Sequence, residues 1–432
     1  MIETFSVQNY RSIKHEQTIS FLANNKIQGG SNEYLLSNIS DSVKLLKFCV
    51  LYGYNASGKT NLLLALDFLR SLVVNGNTNI DVGTGFVPFV LDEHTKQAPG
   101  TFILKFYLNK VRYTYQVVVG TERILLEELS FQPMGRKALI FSRTYNENER
   151  ISTFEFGTRC DLTTKEKGIL DGNTIDTITT LFAYQKSNIH SDAIEGVVEY
   201  FKKTVMSIIT PSHSLRRWAK NRVIEDPKRE QFFIDFLQKA DFQIGDLEIS
   251  KETILLSTEM LADLKTKGAP DSVIKQLQSE RELELTDLLF LHETSNGNHY
   301  IPFEEESQGT LRYFGLGSVI HELVVDGGVA PIDELEASLH PDLVAFLLQM
   351  FLMNTSESQI IATTHNQGIM ELDYMRSDMI WLCEKDEEGA SKYYSVQEFG
   401  LHKKINIANA YRTGKLGAKP YLGSAIFEDL SQ

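Results

Sequence analysis

Alternating apolar and polar residues predict β-strands along much of the first 145 residues. In Thr101–Leu108 and Tyr113–Val119 such runs flank Asn109 and Lys110, which predicts a hairpin. Asn9-Tyr10-Arg11-Ser12 joins two shorter candidate strands at the beginning of the chain. This part of the sequence therefore favours antiparallel pairing, with strands predicted at about 1–22, 101–119, 124–131 and 138–143.

The periodicity changes to a helical one between residues 145 and about 285. Ile194-Val197-Val198-Phe201 and Phe233-Phe236-Leu237-Ala240 have the spacing of an apolar helix face. Thr258 to Glu284 is also predicted to be helical, with a break at Gly268-Ala269-Pro270. Such a short pair of helices is not a long coiled-coil arm. Strand character returns near Leu285 to Phe303. From there to about residue 385 the predicted order is loop, helix, strand, helix, strand, which is α/β alternation.

Composition limits the class of protein without naming a function. Of the 432 residues, 42% are hydrophobic and 23% are charged, which is ordinary for a globular chain. The net charge of −14 argues against a protein coated in nucleic acid. The three cysteines, Cys49, Cys160 and Cys383, lack metal-site spacing. Without a signal peptide or an apolar run of membrane-spanning length, a cytoplasmic protein with no membrane contact is expected.

The most specific motif is Gly53-Tyr54-Asn55-Ala56-Ser57-Gly58-Lys59-Thr60, a complete G-x-x-x-x-G-K-[ST] sequence. An apolar strand pattern precedes it, and a helical pattern begins at Asn61. In this context backbone N–H groups cradle nucleotide phosphates, Lys59 reaches the β- and γ-phosphates, and Thr60 binds Mg²⁺. The residues predicted to bind ATP here are Gly53, Asn55, Ser57, Gly58, Lys59, Thr60 and Asn61.

A second acidic motif ends another apolar strand. In Val329-Ala330-Pro331-Ile332-Asp333-Glu334, Asp333 is predicted to hold Mg²⁺ and Glu334 to polarise the attacking water. Pro331 is unusual in a central strand. Either its missing N–H faces a loop, or the strand begins after it.

Three more motifs follow the order found in ABC-type ATPases. Glu306-Ser307-Gln308-Gly309-Thr310, the Asp333–Pro341 segment and Thr363-Thr364-His365-Asn366 resemble a signature loop, a Walker B with its D-loop, and an H-loop. The early P-loop and Asn9-Tyr10-Arg11-Ser12 resemble the SMC/RecF-like branch. The motifs are most similar to bacterial AAA-family proteins of the overcoming-lysogenization-defect and abortive-infection group. The segment Ala410–Pro420 resembles the tail of RloA/AbiLi-type ATPases.

This resemblance implies an α/β fold: an ABC-type ATPase head with a mixed β-sheet and P-loop core, plus an inserted, mainly helical region. The predicted segments are 1–145 (lobe I), 146–285 (helical insertion) and 286–432 (lobe II). It also implies that two heads pair around ATP, so that Ser307 and Gly309 of one head cap the nucleotide held by the other. His365 would contact the γ-phosphate or the attacking water, and a satisfied strand-end histidine is the alternative. No Q-loop can be placed.

The resemblance implies a regulatory ATPase of an antiphage defence system, active as a homodimer or larger homo-oligomer. Because the residues after His365 leave no room for a Toprim nuclease domain, a separate effector, a nuclease or a toxin, is expected. The alternatives are a RecF-like DNA-repair ATPase that binds DNA directly and a nucleotide-sensing scaffold that hardly hydrolyses ATP. Arg216, Arg217, Lys220 and Arg222 form a basic cluster that is a nucleic-acid contact, a solvated face or a protein–protein contact.

Overall fold

The computed structural model describes residues 1–27, 33–79, 82–133, 135–240, 242–266, 282–401 and 405–421. The chain forms two compact units. Unit 1 comprises Met1–Pro211 and Glu322–Gln432, and unit 2 comprises Ser212–His321.

The strands of the described residues are, in chain order, β1 (Ile2–Gln8), β2 (Gln17–Ser20), β3 (Leu36–Asn38), β4 (Lys44–Leu46), β5 (Phe48–Tyr52), β6 (Gly100–Leu108), β7 (Val111–Val119), β8 (Ile124–Gln132), β9 (Ala138–Asn146), β10 (Ile151–Phe156), β11 (Ile244–Leu255), β12 (Glu282–Thr294), β13 (Gly297–Pro302), β14 (Gly328–Ile332), β15 (Ser358–Thr363), β16 (Ile380–Lys385) and β17 (Ser391–Ser395). The helices are α1 (Lys59–Val74), α2 (Glu93–Gln97), α3 (Thr164–Asn173), α4 (Thr180–Gln185), α5 (Asp192–Glu199), α6 (His213–Glu225), α7 (Glu230–Gln238), α8 (Thr258–Thr266), α9 (Gln308–Val325), α10 (Pro341–Asn354) and α11 (Ile407–Arg412), with a π-helical turn at Tyr200–Thr204.

A five-stranded sheet forms the centre of unit 1, in the order β14-β15-β5-β16-β17. The first four strands are parallel, and β17 runs antiparallel to β16. Every residue of β5, β14 and β15 is buried, as expected for parallel strands covered on both faces. Because parallel strands end at one edge of a sheet, the residues after β5, β14 and β15 meet there.

The second sheet of unit 1 has seven antiparallel strands in the order β10-β9-β8-β7-β6-β1-β2. Buried and partly exposed residues alternate along β6 and β7, so one face packs inward. The buried amide of Gln359 in β15 ties the two sheets together. It accepts from the Ile2 N–H at 2.6 Å and donates to the carbonyl oxygens of Ile2 at 2.9 Å and Leu46 at 3.1 Å.

Pro331 is accommodated because β14 lies beside a loop-like segment. Residues 205–210, here called the strap, run parallel to the free edge of β14. The Ile209 N–H donates to the Pro331 carbonyl at 2.8 Å. Since the N and C=O of one strand residue point to the same edge, the missing N–H of Pro331 faces the strap. Of the two interpretations of Pro331, the structure shows the one in which it faces a loop.

Unit 2 combines a three-stranded antiparallel sheet, β11-β12-β13, with α6, α7 and the first part of α9. Aromatic rings pack the helices together: the centroids of Phe233 and Phe314 are 4.5 Å apart, and those of Phe236 and Tyr313 are 4.6 Å apart. These side chains are buried, so the helix face predicted around Phe233–Ala240 is a core face.

The predicted fold class, α/β with a P-loop core and an inserted helical region, is confirmed. The helix predicted as far as Glu284 is wrong at its end, because Glu282–Glu284 pair with β11 as the first residues of β12. The break predicted at 268–270 lies outside the described residues. Strand β11 was not predicted, and its partner β12 is distant in sequence from it.

The predicted segments 1–145, 146–285 and 286–432 do not coincide with the two units. The β9–β10 hairpin extends the seven-stranded sheet beyond residue 145, and unit 2 begins only at Ser212.

Candidate functional site

The glycine-rich loop connects the end of β5 to the N-terminus of α1. Gly58 has φ 112°, and a Cβ there would lie 2.0 Å from Ser391 Oγ, so only glycine is accommodated. No side chain caps α1 at Gly58. The first N–H groups of a helix lack intrahelical acceptors, and the helix dipole adds positive potential there. The loop and the beginning of α1 therefore have the character of a phosphate site.

The β16–β17 hairpin supports this loop from behind. Ser391 Oγ donates to the Ser57 carbonyl at 2.6 Å, and the Tyr393 hydroxyl donates to the Gly58 carbonyl at 2.7 Å. The Cys383 thiol also contacts the Ser57 carbonyl, at 3.3 Å, and burial raises its pKa to about 11. These donors fix the orientation of the loop's peptide groups. Sequence reasoning missed them because they lie more than 300 residues further along the chain.

Three of the residues predicted to bind nucleotide have distinct environments. Asn55 is exposed at the tip of the loop, and Ser57 is fully buried. The Ser57 N–H donates to the Tyr54 carbonyl at 3.2 Å. The Asn61 amide donates to Ser12 Oγ at 2.6 Å, and Ser12 Oγ lies 2.7 Å from Ser391 Oγ. Asn61 thus fastens α1 to the N-terminal turn.

Lys59 is buried and points back over the loop. Its Nζ donates to the carbonyl oxygens of Gly53 at 2.9 Å and Tyr54 at 3.2 Å, and lies 3.2 Å from His365 Nε2. Burial lowers the pKa of the Lys59 amine, and nearby carboxylates, including that of Asp333, oppose this effect. An ammonium group with acceptors on several sides is ready to exchange a carbonyl for a phosphate oxygen.

Asp333 joins three of the elements that meet at the sheet edge. Its Oδ1 accepts from Thr60 Oγ1 at 2.9 Å and from Thr363 Oγ1 at 2.6 Å. Thr363 Oγ1 in turn accepts from the Glu334 N–H at 2.9 Å. Glu334 is exposed and has φ 48°, a conformation that is uncommon for a residue with a side chain. The two acidic neighbours therefore differ: Asp333 is buried among hydroxyls, and Glu334 is solvent-accessible.

This donor set suits Mg²⁺ better than a soft metal. A threonine hydroxyl and one carboxylate are hard oxygen ligands, and Mg²⁺ usually completes its shell with phosphate oxygens and water. Among the residues that the structure describes, no three His, Cys, Asp or Glu side chains converge as a metal cluster. Thr60 and Asp333 would hold the ion together with a nucleotide.

His365 is fixed by a glutamate that sequence reasoning did not assign. Glu336 accepts from the His365 N–H at 2.6 Å and from Thr364 Oγ1 at 2.6 Å. Partial burial and the Lys59 ammonium lower the pKa of the His365 imidazole. The ring is therefore neutral at pH 7, and its Nε2 can accept from Lys59. The only sequence feature that pointed to Glu336 was its acidic side chain within the Asp333–Pro341 motif.

The signature-like residues belong to unit 2. Ser307 Oγ accepts from the Thr310 N–H at 3.0 Å and so caps α9, while Glu306 is buried beside His292. Ser307 is exposed and Gly309 is partly exposed, so both are accessible on unit 2. The other predicted site residues, from Gly53 to Asn61 with Asp333, Glu334 and His365, all lie in unit 1.

The tail segment packs beside the site in unit 1. The Tyr411 ring lies 5.9 Å from that of Tyr52, whose hydroxyl donates to the Asn366 carbonyl at 2.9 Å. Arg412 pairs with Glu371 at 2.6 Å. The tail thus contacts the residue before the glycine-rich loop and residues soon after His365.

The basic cluster of unit 2 is partly neutralised. Lys220 Nζ lies 2.6 Å from Asp287 and 3.9 Å from Glu304, and the side chain is 15% exposed. The Arg222 guanidinium lies over the Trp218 ring. Arg217 is exposed, whereas Arg216 is only partly so. These contacts favour a structural role for Lys220 over a nucleic-acid contact.

Residues 48–167 and 186–371 match the family described as "AAA domain, putative AbiEii toxin, Type IV TA system". The chain belongs to this family. The predicted recognition as an ABC-type AAA ATPase is thereby confirmed, whereas the narrower RloA/AbiLi-type resemblance stays a prediction.

Two solved structures similar to the chain are SMC heads. One is the SmcHead bound to the C-winged helix domain of ScpA, with 13% identity and a TM-score of 0.42 over 95% of this chain and 99% of that one. The other is the SMC head domain from Thermotoga maritima, with 13% identity and a TM-score of 0.39 over 91% of this chain and 98% of that one. No curated protein matches the chain. Within the described ranges, no helix has the length and apolar character needed to cross a membrane.

Thr363→Val tests whether the Asp333 contacts matter for a bound metal–nucleotide complex. The substitution preserves the branched shape but removes the donor to Asp333 and the acceptor of the Glu334 N–H. A lost hydrogen bond to a charged group costs about 1.5–3 kcal/mol, so affinity for Mg-ATP should fall roughly 10- to 100-fold. Calorimetric titration with a non-hydrolysable ATP analogue measures this. Thr363→Ser keeps the hydroxyl and should bind nearly normally; equal affinities of the two variants would contradict the assigned role.

Proposed function

We propose that the chain is a cytoplasmic ATPase that binds Mg-ATP and, by pairing its heads around the nucleotide, controls a separate effector in an antiphage defence system. The observation that carries the ATPase part is the convergence of Lys59, Thr60, Asp333 and His365 at one edge of the five-stranded sheet. Family membership supports the same chemistry.

Each residue has a role that follows from its surroundings. The N-terminus of α1 and Lys59 bind the phosphates, and Thr60 and Asp333 would hold Mg²⁺, which would neutralise phosphate charge. Glu334, exposed beside the buried Asp333, orients and polarises a water molecule. His365 is neutral, so it offers the γ-phosphate side of the site a hydrogen-bonding group without an added charge.

Pairing is proposed from the accessible groups of unit 2. Ser307 has an exposed hydroxyl-bearing side chain at the N-terminus of α9, and Gly309 leaves the nearby backbone uncovered. A serine hydroxyl and a glycine N–H suit a γ-phosphate presented by a second head. The proposal is that two chains complete each other's sites, as a homodimer or within a larger homo-oligomer.

The defence role rests on the family, whose description names an AbiEii toxin and a type IV toxin–antitoxin system. An ATPase that regulates a toxin or nuclease must bind it with different affinity in its ATP-bound and relaxed states, since otherwise hydrolysis would change nothing. The effector is proposed to be a separate protein that docks on the region 146–285.

Glu334→Gln tests hydrolysis and pairing together. The amide keeps the size of the side chain but cannot act as a base, so ATP should stay bound and dimers should accumulate, as measured by size-exclusion chromatography with light scattering. Ser307→Arg introduced into Glu334→Gln should bind ATP but remain monomeric. Lys59→Ala is the control that should bind no ATP. Dimers that form equally with and without Ser307→Arg would contradict pairing through the signature segment.

The effector proposal predicts a nucleotide-dependent complex. The test co-expresses the chain with proteins encoded by neighbouring genes. The amount of partner that co-purifies with Glu334→Gln in ATP should differ from the amount that co-purifies with wild type in ADP. DNA should not raise the ATPase rate of the purified chain. A strong stimulation by DNA, with no co-purifying protein, would instead favour the RecF-like alternative.

A further inference from the structure

The strap, residues 205–210, touches the backbone of the proposed metal ligand. It leaves the π-helical turn Tyr200–Thr204 and runs along β14, where the Met206 N–H donates to the Val329 carbonyl at 2.9 Å. At its other end the Ile209 carbonyl accepts from the Asp333 N–H at 2.8 Å. The main chain of Asp333 is therefore held by the strap, while its carboxylate is held by Thr60 and Thr363.

Two charged side chains of helix α1 form hydrogen bonds with the strap. Arg70 Nε donates to the Val205 carbonyl at 2.6 Å, and its Nη1 donates to Ser207 Oγ at 3.0 Å. Asp67 Oδ1 accepts from the Ile208 N–H at 3.0 Å. Asp67 and Arg70 are both partly buried, and burial lowers the pKa of the Arg70 guanidinium.

The residues of α1 that contact the strap lie on the same side of the helix as Thr60, the candidate metal ligand. Asp67 lies about two turns after Thr60 and so occupies the same face of α1. Along this face Thr60 contacts Asp333 directly, Asp67 contacts Ile208, and Arg70 contacts Val205 and Ser207. The distance between α1 and the end of β14 is thus set at several points.

We propose that Asp67 and Arg70 are positioning residues that, through the strap, fix the separation of Thr60 from Asp333 and thereby make the site selective for Mg²⁺. The inference rests on the proposed binding of Mg-ATP. Mg²⁺ requires near-ideal octahedral geometry at about 2.0–2.1 Å, whereas Ca²⁺ accepts looser shells at about 2.3–2.6 Å. Removing the contacts that hold the strap should therefore lower the affinity for Mg²⁺ more than the affinity for Ca²⁺.

The test measures binding of a fluorescent, non-hydrolysable ATP analogue in Mg²⁺, in Ca²⁺ and in EDTA. Arg70→Met and Asp67→Ala should leave the affinity in EDTA unchanged but lower the affinity in Mg²⁺ about 10- to 100-fold, the usual effect of removing a group that supports a metal ligand. The affinity in Ca²⁺ should fall less. Asp67→Asn, which keeps the acceptor for Ile208, should restore Mg²⁺ preference. Arg159→Met, at an exposed position, is the matched control.

Ser207→Ala removes a single contact at an exposed residue and serves if the larger changes prevent folding. This substitution should also lower the affinity in Mg²⁺ more than the affinity in Ca²⁺, but by a smaller factor than Arg70→Met or Asp67→Ala. Equal losses in Mg²⁺, Ca²⁺ and EDTA would show a merely structural role and overturn the inference, as would an unchanged preference in every variant. If wild type itself binds no nucleotide, the proposed function fails and this inference fails with it.

Discussion

The site depends on how one carboxylate is held. Asp333 receives hydrogen bonds from Thr60 at the beginning of α1 and from Thr363 at the end of β15. These two hydroxyls belong to parts of the chain about 300 residues apart, so the contact exists only in the folded sheet. Because a buried, charged acceptor must be hydrogen-bonded, Asp333 brings the phosphate loop and the two strand ends to defined positions.

Around this carboxylate the other groups are supported from several directions. The β16–β17 hairpin orients the loop carbonyls, Glu336 fixes the backbone of His365, and the strap holds the main chain of Asp333. Each support comes from a different segment. Such supporting contacts restrict the motion of the groups that are proposed to bind a nucleotide, and restricted motion lowers the free-energy cost of binding.

Local sequence motifs made a large part of the fold and of the candidate site predictable. The remaining features depend on contacts between segments that are distant along the chain, so the sequence did not reveal them. The glycine-rich loop and the acidic strand end each lie within a few residues, so Lys59 and Asp333 could be predicted from the sequence as candidate site residues. Ser391 and Glu336 act through partners that only the fold brings near. Strand β11 was missed because strand pairing depends on a partner that periodicity does not reveal. The role of Arg70 was not predicted either, because its acceptors lie in the strap, which is distant from it along the chain.

Thr60 and Asp333 are proposed to hold a metal ion beside the phosphates that the N-terminus of α1 is proposed to bind. A crystal of the chain grown with Mn²⁺ and a non-hydrolysable ATP analogue measures this directly, because Mn²⁺ gives an anomalous signal at its own position. One strong anomalous peak is expected within coordination distance of Thr60 Oγ1, next to Asp333, with the triphosphate along the N-terminus of α1. A bound nucleotide whose metal lies away from both residues, or a triphosphate outside the glycine-rich loop, would contradict it.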